Sequence, residues 1–62
     1  MDALSVIVQQ TDDKVSDLKN FLADGRCESF EDYQKVCGEI RGLLIARGYL
    51  LDLKQNLEIA DE

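Results

Sequence analysis

Two cysteines, Cys27 and Cys37, are the most reactive side chains in this chain of 62 residues. A catalytic thiol needs a neighbouring base or an activating charge, but the sequence contains no histidine and neither cysteine has an obvious activator. Two cysteines without a histidine also cannot supply the four ligands of a zinc site. Reduced thiols are favoured over a single intramolecular disulfide, which stays open as the alternative.

The carboxylates of Asp12, Asp13 and Asp17 form the second group with chemical potential, because carboxylates bind hard cations. They lack the spaced oxygen ligands and the central glycine of an EF-hand loop, so we predict a solvated helix face instead. The sequence also lacks a glycine-rich phosphate loop. We therefore expect no catalytic residue, no metal site, no cofactor and no small-molecule substrate, and the chain is not expected to be an enzyme.

The charge balance limits the class of partner. Thirteen acidic residues against seven basic ones give a formal net charge of −6, so neither nucleic acid nor an anionic membrane is expected as a partner. The longest apolar run, 43–46, is far shorter than the roughly 20 residues that span a bilayer. An alternative function uses the charge directly, as a small acidic regulator that binds and inhibits a host enzyme. Its acidic residues would be Asp12, Asp13, Asp17, Asp24, Glu58, Asp61 and Glu62.

Apolar side chains recur at helical spacing early in the chain. The stripe steps by four and three residues, as in the seam of a coiled coil, and consists of Leu4, Val8, Thr11, Val15, Leu18 and Leu22. We predict a helix over about 3–23, a turn over about 24–29 and a second helix over about 30–59. Asp2 is expected to cap the first helix, and Gly25 is expected to be the left-handed residue that ends it.

The second helix is predicted to begin at a capping box. Ser29 and Asp32 have the spacing of that motif, and Phe30 is expected to anchor the turn against Phe21 or Leu22. So short a connection favours antiparallel neighbours. The side that faces the first helix is predicted to hold Tyr33, Val36, Cys37, Ile40, Leu43, Leu44 and Leu51.

The opposite side of the second helix carries another line at helical spacing, here called the outer row: Gly38, Gly42, Ile45, Tyr49 and Leu53. Glycine costs about 1 kcal/mol relative to alanine inside a helix, so two glycines four residues apart on an apolar face favour a groove for another backbone. Two alternatives are open: the glycines are exposed and tolerated, or they let the helix bend. We predict that the outer row binds a partner protein, with Tyr49 as its strongest contributor.

Two further expectations concern the second helix. Arg47 lies beside the residues of the second helix that are predicted to face the first helix. We favour an arrangement in which its aliphatic stem lies on apolar surface and its charge in water over an ion pair with an aspartate. The helix is predicted to be longer than the first by roughly eight residues, so the segment from Asp52 is expected to project by about 12 Å. That projection would leave uncovered Leu53, Leu57 and Ile59.

Chain length completes the prediction. A domain of about 60 residues buries only about 60% of its unfolded surface and usually needs a disulfide, a metal or a partner. The predicted fold class is all-α, a two-helix antiparallel hairpin whose core is completed by oligomerisation or by another protein. The expected partner is a larger protein or a second copy, the latter for instance in a homodimeric four-helix-bundle adaptor.

Three short motifs connect this hairpin to a known type of protein. They are a helix that ends at a glycine (18–25), an acidic F-x-x-Y helix start (30–33) and a G-x-I-x-G-L segment within 37–43. Together they resemble small helical-hairpin proteins of tailed bacteriophages. The resemblance implies a virus-encoded accessory or virion protein that is made in the host cytoplasm. Of these two, we expect a component of the phage head or tail that docks through the second helix on a larger protein. The chain is also similar in length and architecture to the plasmid-copy-control RNA-binding hairpins, but it lacks their basic and aromatic RNA face.

Overall fold

A computed structural model describes residues 2–60, with the side chains of Ile59 and Ala60 left out. It contains two α-helices, α1 (Ala3–Ala23) and α2 (Phe30–Ala60), which pack against each other. No strand occurs within the described residues, so the all-α class is confirmed. The predictions that named the side chains of Ile59, Asp61 and Glu62 lie outside the described residues.

Both ends of α1 are closed by local hydrogen bonds. Asp2 has extended backbone angles, and its carboxylate accepts a hydrogen bond of 2.7 Å from the N–H of Ser5. This bond lowers the pKa of Asp2 below its ordinary value of 3.8. At the other end Gly25 has φ +70°, as predicted for the residue that ends the helix.

The turn after α1 is a Schellman motif. The N–H of Gly25 donates to the carbonyl of Leu22, and the N–H of Arg26 donates to the carbonyl of Phe21. The Arg26 guanidinium lies over the Phe21 ring, 5.9 Å from its centroid. The prediction that Phe30 packs on Phe21 or Leu22 is wrong. Phe30 stays 70% exposed and stacks on Tyr33, whereas the Phe21 ring is covered by Arg26.

The capping box at the start of α2 is present in a modified form. Ser29 Oγ accepts a hydrogen bond from the N–H of Asp32. The Asp32 carboxylate reaches back to the N–H of Glu28 rather than to that of Ser29. Since two backbone donors are satisfied in either arrangement, the sequence motif marks the helix start correctly although its second bond shifts by one residue.

The predicted stripe of α1 is the side that packs on α2. Its centre, Val15, is only 6% exposed and is the one buried hydrophobic residue of the described chain, while the other five stripe residues are half-buried. Thr11 is accommodated in this stripe because its hydroxyl donates to the carbonyl of Ile7 in the preceding turn. The hairpin therefore has a thin seam rather than an enclosed core.

The facing side of α2 differs from the prediction. Its half-buried residues are Val36, Cys37, Ile40, Leu43, Arg47, Leu50 and Lys54. Tyr33, Leu44 and Leu51 were predicted there, but their side chains are exposed. At about 100° per residue these three lie about 50° to 70° away from the centre of the seam, on the same flank as Cys37.

Charged contacts show the direction and register of the two helices. Arg47 pairs with Asp12, and the charge of Lys54 is close enough to lower the pKa of Asp2. Residues later in α1 are thus close to residues earlier in α2, so the helices are antiparallel. Asp52 and Leu53 are exposed, as expected for the projecting segment, but Lys54 beyond them is half-buried.

Candidate protein-interaction surface

The five residues of the outer row lie on the exposed side of α2. All five are exposed, and the three large side chains retain much of their surface: 51% for Ile45, 71% for Tyr49 and 47% for Leu53. None of the five belongs to the seam with α1. The hairpin thus holds these residues on one rigid helix without using them in its own packing.

Gly38 and Gly42 leave bare backbone on this side of α2. A Cβ built on either glycine would meet no atom within 4 Å, so packing against α1 does not require glycine at these positions. Each glycine nevertheless costs about 1 kcal/mol of helix propensity relative to alanine. The two glycines therefore either serve a contact outside the hairpin or are tolerated at exposed positions.

Further large apolar side chains are exposed elsewhere on both helices of the hairpin. Besides the row itself, the exposed large hydrophobic residues are Val6, Ile7, Phe30, Tyr33, Leu44, Leu51 and Leu57. Single exposed apolar residues are normal on a protein surface, but a set this large on a small chain is typical of a surface that other protein covers. The sequence pattern assigned part of this set to the seam and so underestimated the exposed apolar surface.

Arg47 and Asp12 form an ion pair beside the seam. Arg47 Nε donates to Asp12 Oδ1, and Nη2 donates to Oδ2 at 3.5 Å. The two side chains are 37% and 40% exposed. The favoured prediction, an unpaired Arg47 with its charge in water, is therefore wrong, because the antiparallel register places a carboxylate of α1 within its reach.

The cysteines lie near the turn and are not joined to each other. Cys27 and Cys37 are both half-buried free thiols. Side-chain hydrogen bonding with Cys37 raises the pKa of the Tyr33 hydroxyl above its ordinary value of 10.0, and Cys27 adds to the effect through its charge. Neither contact supplies a base or an activating cation for a thiol.

The described residues show no arrangement typical of small-molecule or metal chemistry. They contain no pocket, and they contain no group of three or more His, Cys, Asp or Glu residues that could hold a metal ion. Neither α1 nor α2, within the residues described, is long and apolar enough to cross a membrane. Comparison with protein-family models, with curated proteins and with solved structures finds no match for the chain.

Proposed function

We propose that this chain is a non-enzymatic structural or interaction protein that docks through the outer row of α2 on other protein. The observation that carries the proposal is the exposure of Ile45, Tyr49 and Leu53 on the side of α2 that the hairpin does not use. Removing apolar surface from water contributes about 25 cal/mol per Å², so covering this row is a source of binding free energy.

The thin seam supports the same proposal, because it limits the stability of the isolated hairpin. A hairpin whose described part buries one residue lacks the core that normally holds a small domain together. Chains of this size usually rely on a disulfide, a metal or association. The cysteines here are free, and the described residues offer no metal site, so association is the means of stabilisation that fits this chain.

The setting that we propose is the particle of a tailed bacteriophage, in which the chain would be a small component of the head or tail. This part of the proposal rests on the resemblance of the segment from Leu18 to Leu44. The exposed outer row supports it only in so far as a structural subunit needs a docking surface. A structural subunit should accompany the particle in a fixed stoichiometry.

Site-directed photo-crosslinking tests the docking surface. A photoreactive benzoylphenylalanine replaces Tyr49 in the cells that naturally express the chain, and a matched chain carries the same group at Asp13, an exposed position on α1. We expect protein adducts from position 49 that are absent or much weaker from position 13. Equal adducts from both positions, or none from position 49, would overturn the proposal.

A further inference from the structure

The outer row has a regular distribution of side-chain size. Its glycines, Gly38 and Gly42, lie toward the start of α2, and two of its three large side chains, Tyr49 and Leu53, lie toward the end. Gly42 and Tyr49 are equally far from the point midway between residues 45 and 46, and the same is true of Gly38 and Leu53. Each small residue thus has a large counterpart at the same distance on the other side of one point.

This symmetry makes the row complementary to itself. When two copies of α2 lie antiparallel across a two-fold axis at that midpoint, Gly42 lies opposite Tyr49 of the second copy, and Gly38 lies opposite Leu53. Ile45 and Ala46 occupy the centre. A two-fold interface is isologous, so each such contact occurs twice. Since no atom apart from the adjoining backbone of α2 lies within 4 Å of a Cβ at either glycine, the space for these large side chains is open.

The charges beside the row fit the same arrangement. Arg41 and Asp52 are both exposed and lie about 20° apart around α2, on one edge of the outer row. Within one chain they are about 16 Å apart along the helix axis, too far for an ion pair. Across the proposed axis their Cα atoms differ by only about 3 Å along the helix, so each chain's arginine can reach the aspartate of the other.

The accessible surface of the chain is consistent with this amount of contact. The hairpin exposes 4867 Å², whereas a compact monomer of 7.0 kDa exposes about 4,000 Å². The excess is similar to the roughly 800 Å² that each partner buries in an interface of standard size. The elongated hairpin, about 50 Å long, therefore has enough surplus surface for one such interface.

We propose that the outer row is the contact surface between two copies of this chain, which pack antiparallel through α2 about a two-fold axis between Ile45 and Ala46. The inference rests on the proposed function and deepens it, because it names the protein that covers the row. It also gives Gly38 and Gly42 a role, namely to admit the Leu53 and Tyr49 side chains of the second copy.

A charge-exchange experiment tests the arrangement, with sedimentation equilibrium as the readout. The wild-type chain should be a dimer, and Arg41→Glu alone should weaken dimerisation by roughly tenfold because two like-charge contacts replace two ion pairs. The combination of Arg41→Glu with Asp52→Arg should restore it. The two positions do not meet within one chain, so recovery requires the contact between copies.

Lys19→Glu is the control for Arg41→Glu, because it makes the same change of charge at an exposed position on α1 away from the row. It should change dimerisation much less than Arg41→Glu does. The arrangement would be contradicted if the control weakened dimerisation as much as Arg41→Glu, or if the double variant were as weak as Arg41→Glu alone.

A second pair of variants tests the shape of the row. Gly42→Leu should abolish dimerisation while far-UV circular dichroism shows that helix content is kept, because its side chain fills the space for Tyr49 of the second copy. Adding Tyr49→Ala should restore part of the affinity. Gly48→Leu is the control, since this exposed glycine lies about 120° around the helix from Gly42. Equal dimerisation of Gly42→Leu and the wild-type chain would overturn the proposal.

The two proposals fail in different ways. If the pure wild-type chain is monomeric at all concentrations while crosslinking from position 49 captures a different protein, the two-fold dimer is wrong and the docking surface stands. If the chain is monomeric and position 49 gives no specific adduct, both proposals are wrong. A dimer with a self-adduct at position 49 supports both.

Discussion

Glycine has different roles at different positions of this hairpin. Gly25 differs from the other glycines in its backbone angle φ. The positive φ of Gly25 closes the Schellman turn, and a side chain there would be strained whatever the free space around it. Gly48 lies inside α2 in ordinary helical conformation, with open space around the position of its missing Cβ. The same substitution should therefore have opposite effects at the two positions.

We expect Gly25→Ala to lower the free energy of unfolding by about 1 to 2 kcal/mol, because it forces an L-residue into the left-handed region. Gly48→Ala is the matched control and should raise it by up to about 1 kcal/mol through helix propensity. Urea unfolding followed by circular dichroism at a fixed protein concentration measures both. A destabilised Gly48→Ala variant would mean that position 48 packs against something outside the hairpin.

The ion pair between Asp12 and Arg47 is the residue-scale contact that joins the two helices. Because both side chains remain more than a third exposed, water screens their attraction and we expect a coupling energy of about 0.5 to 1 kcal/mol. A double-mutant cycle with Asp12→Ala and Arg47→Ala measures it. Asp13 is the control, since its carboxylate accepts from Gln9 on the same helix. Coupling of Asp13 to Arg47 as strong as that of Asp12 would contradict the pairing.

At the scale of elements, the two helices differ in how their apolar residues are distributed. The predicted stripe of α1 forms one half-buried side that ends at defined caps, whereas α2 is apolar both on its seam and on the outer row. A helix that is apolar on two sides is usually covered on both. Helix α1 is thus covered on its apolar stripe by α2, whereas α2 is covered by α1 on its seam and leaves the outer row exposed.

The centre of the seam should therefore decide the stability of the helix pair. We expect Val15→Ala to lower the free energy of unfolding by about 2 kcal/mol, because two buried methyl groups are lost. Val6→Ala is the matched control on the same helix and should change it by no more than about 0.5 kcal/mol, since Val6 is exposed. If the two valines had equal effects in urea unfolding, the seam would not be the main source of stability.

At the scale of the whole molecule, stability should depend on protein concentration. A hairpin with one buried residue among those described gains stability from anything that binds only the folded chain, and a second copy supplies that by mass action. We expect the thermal midpoint to rise when the concentration of the pure chain is raised by roughly a hundredfold. A midpoint that stays constant over this range would mean that the folded hairpin does not associate with itself.

Salt should act on the same measurement in a definite direction. Two copies carry −6 each, so their net charges repel, and screening this repulsion should favour the dimer. The alternative of an acidic regulator that inhibits a basic host protein requires the opposite dependence, since salt screens attraction between opposite charges. A dimer of the pure chain that weakens steeply with added salt would contradict the apolar interface, whereas salt-weakened binding to a basic host protein would favour the acidic regulator.

The sequence by itself determined the local features of this protein. The caps at Asp2 and Ser29, the left-handed turn at Gly25 and the stripe centred on Val15 were all predicted correctly. Each depends on residues a few positions apart, whose geometry a single helix or turn fixes without reference to the rest of the chain. The all-α class follows from the same local signals.

Only the tertiary structure decided which side of α2 faces α1. Because α2 is apolar on two sides, the spacing of its apolar residues does not specify which side faces α1. The charged residues Arg47 and Lys54 also interrupt the apolar pattern of the seam that contains Leu50. The choice was made by contacts between residues far apart in the chain, among them the seam around Val15 and the pair of Arg47 with Asp12. Rotation and register are properties of a pair of helices, and one helix's pattern does not contain them.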